Sequence, residues 1–281
     1  SNYYINLAKH LNPNFFSYDS LLAENYLISK NFTKAKEVYT GMNKIGEIYK
    51  WHSNKQISII LEKENVGNKK KSISLVRSTY NNLSKPNLYQ TFDYANFLRN
   101  NELFEDSINY YSKIIIKINE SHELYPKATD GRGIAYEKIG NWKKAERDFL
   151  DSLRVKPNQA YVINYLAYTW IEQGIKLDES LKMLKQADQL MKDDGYITDS
   201  LGWAFFKLRK YEEAKAYLQK AVQLMPSDPI INDHYGDSLW MNGKKIQARY
   251  YWKYVLKLKK TEENLKKNIL KKINSGLKNN F

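Results

Sequence analysis

The sequence predicts an all-α protein, a right-handed solenoid of about seven helix pairs that ends in a capping helix. Three sets of residues support this prediction, because each set recurs every 34 or 35 residues in register with the other two. A period shared by three independent sets indicates an array of repeated structural units. The sets are Gly133, Ala167, Gly202 and Gly236; Ala145, Ser180, Ala214 and Ala248; and Phe149, Leu184, Leu218 and Trp252.

Each unit is predicted to contain two helices joined by a short turn. From Tyr211 to Met225, apolar residues recur at steps of three and four, which is the period of one buried helix face. Pro226 ends this helix, and Asp228 followed by Pro229 suits the cap and first position of the next helix. Within a unit, the small residue at Gly202 is expected to let the two helices approach closely.

The repeats are more regular in the C-terminal half of the chain. We expect degenerate units over residues 1–125, four well-formed units over 126–260, and a capping helix with a tail over 261–281. The stretch 48–82 needs a small insertion near Asn65, and residues 118–124 lengthen one turn. Ala8 and Pro13 match the second helix of a unit whose first helix is missing, so the native chain is expected to continue upstream.

The last segment is predicted to form a Lys-rich helix that covers the final repeat. Thr261 is placed at the N-cap, with Glu262 and Glu263 in the first turn near the positive end of the helix dipole. The apolar stripe expected to face the repeat contains Leu265, Ile269, Leu270 and Ile273.

Composition and motifs exclude several classes of chemistry. The chain has no Cys, which excludes disulfides and thiolate metal sites, and its 4 His residues share no ligand spacing. No phosphate-binding loop and no activated nucleophile motif occurs. Asp233 and Asp237 share a helix face that could hold a cation or do acid–base work, but their repeat position explains them more simply. His234 is expected to be a polar surface residue. The sequence therefore predicts no catalytic residue, no metal and no cofactor.

Net charge gives a weaker indication of a partner. The formal charge is +14, and residues 253–281 supply +7 of it from nine Lys and two Glu. A basic tail suits nucleic acid or an anionic membrane surface, whereas an AT-rich genome alone would also raise the Lys content. Binding of nucleic acid or membrane by this tail is therefore kept as the least favoured alternative. No run of 18 apolar residues suggests a membrane span.

The repeat resembles that of the tetratricopeptide family, whose unit is about 34 residues long. The resemblance extends over nearly the whole chain and is strongest from 126 to 260, with Ser152 and Arg209 as departures from the pattern. The matching residues are Gly133, Tyr136, Gly140, Trp142, Ala145, Phe149, Ser152 and Pro157 in one unit, and Gly202, Phe205, Arg209, Tyr211, Ala214, Leu218, Ala221 and Pro226 in another.

The resemblance implies a concave groove lined by the first helix of each unit, which would bind a peptide segment or a partner protein. The residues predicted to line this groove are Asp130, Tyr161, Asn164, Tyr168, Tyr196, Asp199, Trp203, Phe206, Asp233, Asp237 and Trp240. Aromatic rings supply contact area and carboxylates accept N–H groups or pair with cations, so a basic or polar ligand is favoured. In the alternative interpretation, the aromatic rings pack against the adjacent unit. Changing Trp203 and Asp199 is expected to weaken partner capture without unfolding the array.

A closer resemblance concerns residues 161–174, 194–214 and 228–248. These segments resemble the C-terminal half of proteobacterial envelope tetratricopeptide lipoproteins that act as adaptors for periplasmic processing proteases. The resemblance implies a non-enzymatic adaptor, a protease among its partners, and a periplasmic or outer-membrane-tethered location, with the cytoplasm as the alternative. In a second hypothesis, the chain is the recognition arm of a larger enzyme whose catalytic domain lies outside it.

Overall fold

The computed structural model describes residues 2–12 and 16–277, and throughout these ranges the regular structure is helical, with no β-strand. The chain forms two compact units, Ser1–Asn119 and Glu120–Phe281. The predicted all-α class is therefore confirmed. Pro13, which the sequence places at the end of a repeat, lies outside the described residues. Within the described ranges, no helix combines the length and the apolar character that a membrane span requires.

The first unit contains three consecutive helix pairs preceded by a single helix. The helices are α1 (Asn2–Leu11), α2 (Ser17–Ile28), α3 (Phe32–Met42), α4 (Glu47–Glu64), α5 (Lys69–Asn81), α6 (Leu88–Asn100) and α7 (Phe104–Lys117). The expected insertion near Asn65 is absorbed by an α4 of 18 residues and a short 3-10 turn, Val66–Asn68.

The second unit contains four helix pairs followed by one further helix. The helices are α8 (Leu124–Lys138), α9 (Trp142–Val155), α10 (Ala160–Glu172), α11 (Leu177–Leu190), α12 (Gly195–Lys207), α13 (Tyr211–Leu224), α14 (Pro229–Met241), α15 (Lys245–Val255) and α16 (Glu263–Ser275). The first helices α10, α12 and α14 lie side by side, and each packs on its own second helix. With the three pairs of the first unit, the described residues form the seven pairs that the sequence predicts.

Small residues allow the paired helices to approach closely. A Cβ atom placed on Gly202 would lie 2.7 Å from Cγ of Leu218, and one on Gly236 would lie 2.6 Å from Nε1 of Trp252. Both distances are shorter than van der Waals contact permits, so a side chain at either position would push the two helices apart. The structural role predicted for Gly202 is confirmed.

Two of the first helices, α12 and α14, begin with an aspartate at the N-cap, a position where this residue is favoured. Asp228 Oδ1 accepts hydrogen bonds from the backbone N–H groups of Ile230 and Ile231 at 2.9 and 3.1 Å, with Pro229 in the first position of α14. Asp194 Oδ1 accepts in the same way at the start of α12. The helix start predicted at Asp228 is confirmed, and one oxygen of each carboxylate, Oδ1, accepts from backbone N–H groups.

The start of α16 differs from the prediction. Thr261 does not cap the helix; its buried hydroxyl donates to the carbonyl oxygen of Val255 at 2.6 Å, and Glu262 occupies the N-cap. The helix buries Ile269 completely and leaves Leu270 half exposed, so the expected stripe was wrong at Leu270. The loop between α15 and α16 is therefore held by a threonine that bonds backward to the end of α15.

Candidate partner-binding surface

The predicted groove residues do not form one open surface. Tyr161 and Tyr196 are exposed. Asp130, Asn164, Tyr168 and Trp240 are half-buried. The remaining five are buried: Asp199, Trp203, Phe206, Asp233 and Asp237. The expectation that these five face a partner is corrected, because neighbouring helices of the same chain already contact them.

Trp203 of α12 lies inside a stack of rings. Its ring centroid is 4.7 Å from that of Phe206 and 4.0 Å from that of His234 on α14, with nearly parallel planes in both pairs. Its indole Nε1 donates to Oε1 of Glu172 on α10 at 2.5 Å. Trp203 therefore ties three successive first helices together, which is the packing alternative that the sequence left open.

His234 is buried beside Asp199 and is not the surface residue that the sequence suggested. Its Nδ1 lies 3.0 Å from each carboxylate oxygen of Asp199. Burial lowers the pKa of His234, but the nearby carboxylates of Asp199, Asp233 and Asp237 outweigh burial, so the pKa is raised above its usual value. The surroundings of His234 therefore stabilise its protonated form more than water does.

Asp233 and Asp237 do hold a cation, and the cation is Lys272 of α16. The Lys272 ammonium donates to both oxygens of Asp233 at 2.7 and 2.8 Å and to Oδ2 of Asp237 at 2.8 Å. Trp252 Nε1 donates to the other oxygen of Asp237 at 3.0 Å. Burial and the neighbouring Asp233 carboxylate raise the pKa of Asp237, while Lys272 opposes this rise. These two aspartates join α14 to the C-terminal helix.

We call these five residues, Asp199, Asp233, His234, Asp237 and Lys272, the ionic cluster. Sequence reasoning missed Lys272 as a member, although a signal was present: Lys272 follows Ile269 by three residues and so shares its buried face. Among the described residues, no group of three His, Asp or Glu side chains is arranged to hold a metal ion. The acid–base chemistry weighed for Asp233 and Asp237 has no support in this geometry, because both carboxylates are buried and occupied.

The half-buried members also lie close to other parts of the second unit. Burial, followed by the charges of Glu172 and Asp199, raises the pKa of Tyr168 on α10. Trp240 lies beneath the end of α16: a Cβ on Gly276 would overlap its ring, and the Arg249 guanidinium lies 4.8 Å from the ring centroid. The C-terminal helix therefore covers the last turn of the predicted groove.

A second stripe of the first helices remains open. Tyr161, Tyr196 and Ile230 are the second residues of α10, α12 and α14, and their side chains are 49%, 52% and 44% exposed. We call these three residues the edge ladder. The Tyr161 hydroxyl donates to Oδ2 of Asp194 at 2.9 Å, which fixes its ring at this edge. Exposed large apolar side chains at the same point of three neighbouring first helices suit contact with a partner.

A cavity opens beside the middle residue of the edge ladder. It has a volume of about 540 Å³ and is lined by Tyr196, Leu224, Met225, Pro226, Ser227, Asp228, Lys257, Leu258, Lys259 and Lys260. We call it the Tyr196 pocket. Its walls come from the start of α12, the end of α13 and the loop after α15. Sequence reasoning treated the loop lysines only as part of the basic tail and did not place them beside Tyr196, because their closeness to Tyr196 depends on how the helix ends are stacked.

The ionic cluster predicts that the stability of the second unit depends on pH. The folded-state pKa values of His234, Asp237 and Lys272 are all raised, so folding favours the protonated form of each group. Their stabilising contribution is present at low pH and is lost as pH rises through each raised pKa. From pH 6 to 9, the free energy of unfolding is expected to fall, because the His234 imidazole holds its proton more tightly in the folded unit than in the unfolded chain.

Urea unfolding at several pH values, followed by tryptophan fluorescence, measures this dependence. Five of the 6 Trp residues lie between 120 and 281, so the signal comes mainly from the second unit. His234→Gln should flatten the curve between pH 6 and 9, whereas His122→Gln, at a partly exposed position, should leave it unchanged. A wild-type curve that is flat or that rises in this range would contradict the assignment.

Comparison with known proteins agrees with this architecture. The profile of the Tetratricopeptide repeat family matches residues 55–261. Over 101 residues the chain is 28% identical to TPR repeat-containing protein PA4667 of Pseudomonas aeruginosa, a match that covers 35% of this chain and 17% of that protein. The chain therefore spans a small part of this relative's length.

Two solved structures are similar in fold. A tetratricopeptide repeat protein from Parabacteroides merdae matches with a TM-score of 0.68 and 16% identity, over 91% of this chain and 97% of that chain. YrrB, described as a TPR protein with an unusual peptide-binding site, matches with a TM-score of 0.50 and 16% identity, over 66% and 92%. The family profile covers most of the sequence, and the repeats of 34 or 35 residues read from the sequence correspond to the observed helix pairs. The chain therefore belongs to the tetratricopeptide repeat family.

Proposed function

We propose that the chain is a non-enzymatic scaffold that binds a peptide segment or a partner protein along the edge ladder. The tetratricopeptide fold supports a protein-interaction scaffold in general. The observation that carries the specific proposal is the exposure of Tyr161, Tyr196 and Ile230 at one repeated point of three neighbouring helices. Rings held by a rigid scaffold contribute contact area with little loss of side-chain entropy on binding.

The distribution of buried residues supports the edge ladder as the binding surface. The buried groove residues Asp199, Trp203, Phe206, Asp233 and Asp237, which we call the inner row, are less suitable. Asp199, Trp203 and Phe206 contact other residues of the chain, and a partner could reach them only by separating packed helices. The half-buried residues Asp130, Asn164 and Tyr168 lie on α8 and α10, and we propose that their accessible parts also contact the partner. Leu190 and Leu224, the last residues of α11 and α13, add exposed apolar area.

The partner proposed from sequence resemblance is a processing protease in the cell envelope. The peptide-binding site described for YrrB supports a peptide-binding role for a related fold. We therefore propose that this chain recognises a protein segment as an adaptor would, and that the partner supplies any chemistry. The identity of the partner and the compartment belong to this proposal.

Site-specific photo-crosslinking tests the proposed surface. A photoreactive phenylalanine analogue is placed at position 161 or 196 of the full chain and irradiated in lysate of the source organism. The matched control is position 250, because Tyr250 is also an exposed tyrosine, on α15 and outside the edge ladder. The same partner should crosslink at 161 and 196 and not at 250. Equal crosslinking at all three positions, or at none, would contradict the proposal.

A further inference from the structure

We infer that the Tyr196 pocket binds an acidic segment of the partner, with one large apolar side chain of that segment inside the pocket. This inference rests on the proposed function, because it assigns a chemistry to the partner that contacts the edge ladder. It is drawn from the floor of the pocket, its rim, and the way the rim is held in place.

The floor of the pocket is apolar. Four of its lining residues, Leu224, Met225, Pro226 and Leu258, are apolar, and we call them the floor; they line the pocket together with Tyr196, whose ring is half exposed. A volume of about 540 Å³ is within the range of roughly 300–1,000 Å³ that is usual for ligand sites. A flexible methionine in the floor can adapt to aliphatic or aromatic side chains. An apolar group of a partner would therefore be removed from water here.

The rim of the pocket is basic. Lys257, Lys259 and Lys260 are exposed, and none of them forms an ion pair with a residue in the described part of the chain. Asp228 also lines the pocket, but its Oδ1 accepts the N–H groups at the start of α14. Three lysines around an apolar floor complement a segment that carries carboxylates on both sides of an apolar residue.

The loop that carries the lysines is held by hydrogen bonds before any partner binds. The N–H of Lys257 donates to the carbonyl of Tyr254 at 2.9 Å, and that of Leu258 donates to the carbonyl of Val255 at 3.1 Å. The buried hydroxyl of Thr261 donates to the same Val255 carbonyl at 2.6 Å. Because the backbone is already ordered, binding loses less conformational entropy than it would at a flexible tail.

The same combination occurs separately in the first unit. A cavity of about 880 Å³ there is lined by Tyr89, the exposed second residue of α6, together with Pro86 and Ile114. Lys113 and Lys117, near the end of α7, also line it, and the Lys113 ammonium lies 4.5 Å from the ring centroid of Tyr110. Two cavities built from different residues thus share an exposed tyrosine, apolar lining residues and lysines that lie near or just after the end of a second helix.

Fluorescence anisotropy with a labelled peptide tests the inference. The peptide has one Phe flanked on each side by Asp residues, and a second peptide has Ala in place of Phe. All proteins are full chains carrying Lys113→Glu and Lys117→Glu, so that the cavity of the first unit does not contribute. Adding Lys257→Glu, Lys259→Glu and Lys260→Glu should weaken binding at least about tenfold, because attraction at three positions becomes repulsion.

The control variant carries Lys143→Glu, Lys156→Glu and Lys182→Glu, which are exposed lysines outside the pocket and give the same net charge. It should bind the Phe peptide within about threefold of the reference protein, since exposed charges far from a ligand are screened by salt. The Ala peptide should bind the reference protein at least about tenfold more weakly than the Phe peptide, because the floor is left unfilled.

Four results would overturn the inference. Equal weakening by the two triple variants would show an effect of net charge alone. Equal binding of the Phe and Ala peptides would show a cationic patch without a pocket. Binding to phosphatidylglycerol vesicles or to oligothymidylate that depends on the three lysines, without peptide binding, would assign the surface to a membrane or a nucleic acid. The partner could also still crosslink at position 161 while the acidic peptide does not bind. That result would overturn the assignment of an acidic, apolar segment to the Tyr196 pocket and would leave the proposed function unaffected.

Discussion

Lys272→Met is expected to lower the free energy of unfolding of the second unit by about 3–5 kcal/mol at neutral pH, because breaking a buried ion pair leaves charge unpaired. Asp233 and Asp237 are almost inaccessible to solvent, and the Lys272 ammonium contacts both carboxylates. Methionine keeps most of the apolar stem and removes only the cation. Urea unfolding followed by tryptophan fluorescence measures the loss. At pH 5 the deficit should be smaller, because Asp237 has a raised pKa and can take up a proton.

Two further variants separate this effect from a general one. Lys266→Met removes a lysine of the same helix that pairs with Glu263 at 2.6 Å in an exposed position, and should cost less than about 0.5 kcal/mol. Combining Lys272→Met with Asp233→Asn and Asp237→Asn should recover part of the loss, since the buried charges are removed together. Equal destabilisation by Lys272→Met and Lys266→Met would contradict the role given to the ionic cluster.

Trp203→Ala is expected to destabilise the second unit by about 3–5 kcal/mol, the usual cost of truncating a buried aromatic side chain. The change removes the stacking contacts with Phe206 and His234 and leaves Glu172 without its indole donor. Thermal unfolding by circular dichroism measures the effect. The sequence-based expectation was that Trp203 and Asp199 can be changed without unfolding the array. The buried position of Trp203 instead leads us to expect that its removal destabilises the second unit.

Tyr196→Ala is the matched control, because it removes an aromatic ring from the same helix at a position that is 52% exposed. It should cost less than about 0.5 kcal/mol, as is usual for surface substitutions. A Trp203→Ala variant that melts within a degree or so of wild type would contradict the packing described for this residue. This difference in stability also determines which variant can be used to measure binding. A loss of partner capture by Tyr196→Ala can be attributed to the surface, whereas a loss by Trp203→Ala could result from unfolding.

Both predictions concern the buried residues of the inner row, which mainly contact neighbouring helices of the same array. Asp199 contacts His234 of the next first helix, and Trp203 contacts Glu172 of the preceding one. In the described part of the chain, α14 and α15 are followed by the single helix α16, and Lys272 of α16 pairs with Asp233 and Asp237. This helix thus supplies to α14 the partner for buried carboxylates that α14, through His234, supplies to α12.

The sequence by itself determined the repeat period, the number of helix pairs and the residues that pack within each pair. Gly202 and Asp228 could be assigned correctly because their roles depend on one helix and its immediate partner. Local periodicity and capping chemistry are encoded over a few residues, and they need no knowledge of distant contacts. The same local rules placed Thr261 wrongly, because its hydroxyl bonds to the end of α15 instead of to its own helix.

Only the tertiary structure decided which stripe of the first helices stays open. Helical spacing puts Tyr196, Asp199 and Trp203 on the same broad side of α12, but burial depends on how close the next first helix lies. In the structure, the neighbouring first helix α14 leaves Tyr196 exposed and buries Asp199 and Trp203, which lie one and two turns further along α12. Lys272 and the lysines of the Tyr196 pocket are equally invisible to local pattern, because they meet their neighbours across 30 or more residues of chain through the stacking of helices.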